Sequence, residues 1–280
     1  MFLVIVCGAL LITGVVLAIL WNGERLTVPQ FPGSDAPLRF HRAGLRHYVW
    51  WVSVFLVAAT ASSILVTGAG GRLVMRRLAV TSPQARGRLT EAGELVGFIT
   101  LEGTLGYLLF GAIPFAVAST ALYLLVEPWL APGRLRGASF GVLLLVTVSP
   151  VIDPLRADNI DFDIVGPGWL AVLLFAGLAV LQGAFLAAVA GRLSRSLPLM
   201  SRRNWPATTV PLLPAVVLWP LGILLALAGL VALAFPRLLP ALLAARASGI
   251  GVLIGRILLA VAMLATLPTF IASLVSILAR

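Results

Sequence analysis

Only a handful of side chains in this chain have the type and setting to do chemistry, and Glu102 comes first. It sits in Ile99-Thr100-Leu101-Glu102-Gly103-Thr104, at the entrance to a long apolar run. A carboxylate held within hydrocarbon is costly, and where one occurs it marks a proton or substrate path. The same spacing also fits a helix start. Thr100 would cap the helix, and Glu102 would rest in its first turn, where the dipole favours a negative charge. Arg256 is the matching cation, in Gly251-Val252-Leu253-Ile254-Gly255-Arg256. If the last helix starts at Ser248, this arginine lies about two turns deep at ~1.5 Å per residue, where it would pair with Glu102. If the span starts after it, Arg256 marks the interface and snorkels. Gln182 adds one amide to the fifth apolar run.

The densest acidic stretch is Asp153 to Asp163, with Asp158, Asp161 and Asp163 following Asp153 and with Asn159 among them. Several oxygen ligands on one loop could hold a hard cation. The spacing does not follow the D-x-[DN]-x-[DN]-G pattern of a calcium loop, however, and a solvated turn between two helices is the plainer expectation. Cys7 is the only cysteine and His41 and His47 are the only histidines, so no cysteine-based metal centre or internal disulfide can form. HExxH and GxxxxGK[ST] are both missing from the sequence. Gly68-Ala69-Gly70-Gly71-Arg72 resembles a phosphate loop superficially, but it has no strand before it and reads as a helix terminus. These residues predict a protein that is not an enzyme and that needs no cofactor or metal.

Whatever these side chains do, the elements that carry them must live in lipid. Of the 280 residues, 60% are hydrophobic and 11% charged, and the mean hydropathy is +1.08. A soluble domain has about 45–50% apolar and roughly 25% charged residues. The apolar runs reach the ~20 residues that cross a bilayer as a helix, and they lack the alternation of barrel strands. The expected fold is all-α, a polytopic transmembrane bundle forming a single integral membrane domain. Seven spans are expected, at about 2–20, 48–67, 98–126, 137–152, 169–190, 210–235 and 257–279, with six as the alternative count. The first run is read as a retained helix rather than a signal peptide, because it has neither a basic leader nor a small-x-small site.

Between the spans, residues 22–47 carry Pro29, Pro32, Gly33 and Pro37 and read as a loop. Ser82-Pro83 predicts a short capped helix, while 88–98 could pair as a hairpin about Gly93; the sequence leaves both open. Pro211, Pro214 and Pro220 should bend the sixth span. Residues 236–255, interrupted by Arg237 and Arg246, either cross or lie along the interface. Gly137-x-x-x-Gly141 and Gly251-x-x-x-Gly255 fit close helix packing.

All twenty basic residues are arginine, against ten acidic ones, a net charge of +10. The absence of lysine points to a GC-rich, bacterial coding habit. The arginines fall between apolar runs, where they meet lipid headgroups, so nucleic acid is not an expected partner. A small excess of arginine in loops 21–47, 127–137 and 191–204 puts the N-terminus outside and the acidic loop 153–168 outside with it.

Two stretches, Gly87 to Gly106 (GRLTEAGELVGFITLEGTLG) and Asn159 to Leu170 (NIDFDIVGPGWL), resemble a set of multi-pass bacterial membrane proteins of actinobacterial type whose function is unknown. The resemblance implies a bacterial inner membrane and the same helical core over about 68–195. It brings no activity, cofactor or site residue. The expected function is therefore that of a structural or partner-binding membrane component, its partners being the lipid bilayer and another membrane protein or a second copy of itself. The sharper alternative is a secondary transporter or channel-like permease for a small solute or ion.

Overall fold

A computed structural model describes residues 2–29, 37–201 and 204–280, and the side chains of all of these except 37–42. The described chain is helical, with one isolated antiparallel bridge, Leu89 to Leu95, in place of any strand. Among the described residues five helices are long and apolar enough to cross a membrane: α1 (Phe2–Leu20), α2 (Ala43–Thr81, the apolar part of a helix that begins at Pro37), α3 (Leu101–Trp129), α5 (Gly168–Ser196) and α9 (Gly249–Leu278). Between them come α4 (Arg136–Thr147), α6 (Trp205–Val217), α7 (Trp219–Ala234) and α8 (Leu238–Ala247). Taking the bent pair α7 and α8 as one span brings the number to six among the described residues, short of the seven expected.

Four expected spans change for physical reasons. The last begins at Gly249 rather than at 257, because Ser248 caps it by accepting from Gly251 N, and Arg256 therefore lies inside the helix. The second does not stop at Gly68-Ala69-Gly70-Gly71. The helix runs on to Thr81 through a π-helical turn, Ser63–Gly68. Those glycines are packing residues: a Cβ on Gly71 would lie 2.8 Å from Tyr107 Cζ, and Gly70 faces Leu178 of α5. The same helix also begins earlier than expected, at Pro37, because proline is well placed in a first helical turn. Pro32 and Gly33 of the expected loop lie outside the described residues.

The fourth expected span, 137–152, contains a helix of only 12 residues, α4, followed by turns. It packs face to face on α5. A Cβ on Gly137 would lie 2.6 Å from Ala184 Cα, and one on Gly141 2.6 Å from Val180 Cα. The small-residue spacing therefore works as expected there. In the second pair, Gly255 instead makes room for the Trp129 indole.

The sixth expected span, 210–235, is broken rather than bent. Proline stands in the first turn of each piece, at 206, 211, 214 and 220, and the chain leaves helical geometry at Leu218. Ser53 reaches the Thr208 carbonyl and Gly44 meets Pro236, so this stretch starts and finishes against the first part of α2. Beyond it, α8 turns by 96° from α7, the geometry of a broken span or of a re-entrant stretch.

The long helices give the bundle two ends. Thr81 and Ser82 bind the Gly166 carbonyl, Gly168 meets Ile277, and Phe2 and Val4 lie by Gly97 and Ile99, so the first end gathers both described termini. At the second end Trp50 donates to Leu197, Trp129 donates to Arg246, and Gly23 meets Arg134. The main apolar core joins Trp50, Tyr123, Phe140, Phe185 and Leu186, with Tyr123 and Phe140 edge-to-face at 5.2 Å. A second cluster under the acidic loop holds Leu78, Leu155, Phe162 and Ile277.

Candidate polar site within the bundle

Gln182 lies on the buried face of α5 and is 1% exposed. Its amide is used from both sides. Nε2 donates to Ser62 Oγ and Ser119 Oγ, each at 3.2 Å, and Oε1 accepts from Thr67 Oγ1 at 3.1 Å. Ser62 and Thr67 come from α2, Ser119 from α3, so one side chain ties three helices together. A buried polar group without partners would cost several kcal/mol in hydrocarbon, and here each amide atom has one. The hydroxyls also bond back to their own helices, Ser62 to Ala59 O at 3.3 Å and Ser119 to Ala116 O at 3.2 Å.

Two π-helical turns flank this knot, Ser63–Gly68 in α2 and Leu108–Ala112 in α3, and they touch where Gly68 approaches Leu108. Tyr107 Oη donates to the Thr67 carbonyl at 3.2 Å. One turn towards the first end, Arg72 donates to Thr104 Oγ1 at 3.2 Å. Beyond that lies a recess of about 320 Å³ lined by Phe2, Leu3, Val4, Arg76, Gly97, Phe98 and Ile99. Neither Gln182 nor Glu102 lines it.

Glu102 and Arg256 are not brought together. Thr100 caps α3, its hydroxyl accepting from Gly103 N at 3.0 Å, and Glu102 is exposed in the first turn. Arg256 is exposed next to Gly255, which packs on Trp129 at the other end of α3, roughly 40 Å away at 1.5 Å per residue.

The acidic loop is a network of ion pairs and turns. Arg156 reaches Glu91 at 2.7 Å and Asp158 at 3.7 Å, and Arg280 reaches Asp163 at 3.1 Å. Asp161 accepts from the Glu91 amide at 2.8 Å, and the buried Asn159 bonds Asp153 at 3.2 Å and accepts from Asp161 N at 2.9 Å. Burial pushes the Asp161 carboxyl above the usual carboxylate range. The Glu91 amide pulls it back, the Glu91 carboxylate raises it again, and Arg156 lowers it. Among the described residues no three His, Cys, Asp or Glu side chains converge as a metal site. Glu91 comes from the 88–96 turn, where Val96 N binds Arg88 O and Thr90 N binds Glu94 O, both at 2.9 Å. The hairpin and the short Pro83–Ala85 helix, which the sequence left as alternatives, both form, but the Ser82 hydroxyl binds the Gly166 carbonyl instead of capping the helix.

The partners of Gln182 were missed by sequence reasoning. Serine and threonine are unremarkable in membrane helices, and their pairing across 115, 120 and 63 residues leaves no local signature. Compared with known proteins, the sequence matches no family model, no curated protein and no solved structure.

Proposed function

We propose that this chain is a non-catalytic integral membrane component whose packed helices form a scaffold for another membrane protein or a second copy of itself. The observation that carries this reading is the Gln182 knot, in which the one amide at the heart of the bundle is consumed by side chains of α2 and α3. Side chains that line a solute path need a free donor or acceptor turned towards it, and Gln182 is sealed in. The polar groups on the loops are likewise spent on each other, Arg156 with Glu91 and Arg280 with Asp163. A bacterial inner membrane is the setting we infer, from the all-arginine composition and from the resemblance of 87–106 and 159–170 to bacterial membrane proteins.

Transport is the second reading, and the broken α6–α7 stretch favours it. Discontinuous apolar helices that return to the side they left are a common device of transporters, and π-helical turns cluster at functional sites. Flux measurements on proteoliposomes separate the two. A scaffold leaves imposed proton, sodium and potassium gradients to decay as in protein-free vesicles. A gradient collapse abolished by Gln182→Leu would replace the scaffold reading with transport.

A further inference from the structure

The charges of the two ends differ in kind. At the first end, exposed acids (Glu91, Glu102, Asp158, Asp163) mix with exposed arginines. At the second end the described acids are Glu24 and Glu127, both half-buried and already paired, Glu24 with Arg195 at 2.5 Å and Arg192 at 3.9 Å, Glu127 with Arg136 at 2.6 Å. Every exposed charge described there is an arginine: Arg25, Arg46, Arg134, Arg192, Arg195, Arg237 and Arg256. Arg202 and Arg203, read from the sequence as part of the same basic connection, lie outside the described residues.

This concentration arises from the path of the chain. Because α6–α7 starts beside Ser53 and finishes beside Gly44, nearer the start of α2, Arg237 and α8 join the 21–29, 127–137 and 191–201 connections instead of opposing them. Four of the arginines converge on one turn. Arg134 lies over Gly23, Arg192 and Arg195 flank Glu24, and the Arg25 carbonyl accepts from Ser194 at 3.4 Å. One carboxylate cannot neutralise four guanidinium groups.

We infer that this end binds the headgroups of anionic phospholipids in the leaflet it faces, with the turn at 23–25 and Arg134 as the centre of contact. The inference rests on the membrane reading above and adds to it the chemistry of the lipid. Guanidinium groups fork onto phosphate oxygens, and juxtamembrane arginines are drawn to the negative surface of an anionic leaflet. Lipid fits better than nucleic acid or an acidic protein because the arginines do not form a separate polar face. They are interleaved with Trp21 and Trp129 and with exposed Leu135 and Phe235, the mixture that sits at headgroup level.

The test uses the full chain in nanodiscs of equal phosphatidylglycerol and phosphatidylcholine, with native mass spectrometry of the lipids it retains. Phosphatidylglycerol should be enriched several-fold, and added salt should reduce the enrichment. Arg25→Gln with Arg134→Gln, Arg192→Gln and Arg237→Gln leaves the Arg195–Glu24 and Arg136–Glu127 pairs in place and should bring the ratio close to one, with a loss of about fivefold for the first contact removed. Arg77→Gln with Arg86→Gln and Arg88→Gln, at the other end, should keep the enrichment. Equal retention of both lipids by the unaltered chain, or equal losses in both variant sets, would overturn the inference. Extraction of the chain from membranes by alkaline carbonate is the separate result that would overturn the membrane reading itself.

Discussion

Gly141 of α4 and Gly183 of α5 meet backbone to backbone: a Cβ built on Gly183 would lie 2.7 Å from Gly141 Cα. No side chain fits between them, so the two helices approach as closely as their backbones permit, and in lipid such packing is a principal force between helices. Gly183→Ala should therefore push α4 away and lower stability by about 1–3 kcal/mol, the usual cost of overpacking a tight site. Gly177, on the same helix, has nothing within 4 Å of its would-be Cβ. Gly177→Ala should be neutral or stabilising by about 0.5–1 kcal/mol, since alanine holds helix better than glycine. Thermal unfolding of the two variants in one detergent decides this, and equal midpoints would mean that α4 does not pack on α5 as described.

Replacing the central amide tests the knot. Gln182→Leu keeps the volume and removes three hydrogen bonds, yet each freed hydroxyl retains or can find a carbonyl of its own helix, as Ser62 and Ser119 already do. Interhelical hydrogen bonds in membranes average about 0.6 kcal/mol, so the loss should total about 1–2 kcal/mol rather than the full desolvation cost of three orphaned groups. Thermal unfolding in detergent measures it, and a loss far above this range would show that the hydroxyls have no alternative partners.

Hydropathy made the long helices legible, because a run of apolar residues has few other places to go. It did not reveal which glycines end a helix and which let a neighbour in. Gly68 to Gly71 have the composition of a stop, and only Tyr107 and Leu178, met through tertiary packing, explain why the helix continues. Pro211, Pro214 and Pro220 signalled a bend, but the break itself falls at Leu218, where the backbone leaves helical geometry and no period in the sequence marks it. Gln182 stood out as an amide in an apolar run; Ser62, Thr67 and Ser119 did not. Glu102 in a first turn capped by Thr100 was legible from its spacing, and the alternative pairing with Arg256 is not formed because charge complementarity in a sequence carries no information about which end of the bundle each residue reaches.

Asp161 gives the acidic loop a pH dependence of known sign. Its carboxyl is raised above the ordinary range by burial, so the folded chain holds that proton more tightly than the unfolded chain does. The contribution of this group is most favourable below the unfolded pKa and is lost as pH rises through the folded value. Asp161→Asn keeps an acceptor for the Glu91 amide and removes the buried charge. The variant should gain stability relative to the parent at neutral pH, and the gain should shrink on acidification to pH ~4. Unfolding midpoints across that range check it. A gain that grows on acidification would mean that the Glu91 amide and the nearby Arg156 charge outweigh burial.

The unequal charge of the two ends, mixed at the first and arginine-only among exposed groups at the second, predicts how the chain sits in its membrane. Arginine-rich connections are retained on the cytoplasmic side, and acidic residues contribute little to orientation. The second end, with Arg25, Arg46, Arg134, Arg192, Arg195 and Arg237 exposed, should therefore face the cytoplasm, leaving the 153–168 loop outside. Asp158 has a side chain 80% exposed at the first end, and Pro198 follows Leu197, whose carbonyl binds Trp50 at the second. Single cysteines at 158 and 198, in a chain whose one native thiol is removed by Cys7→Ser, should then react with a membrane-impermeant maleimide from opposite sides. Position 158 should label in intact cells and position 198 only after permeabilisation. The reverse pattern would turn the bundle over and place the arginine end against the outer leaflet, while labelling of both positions from outside would mean that the two loops do not lie at opposite ends.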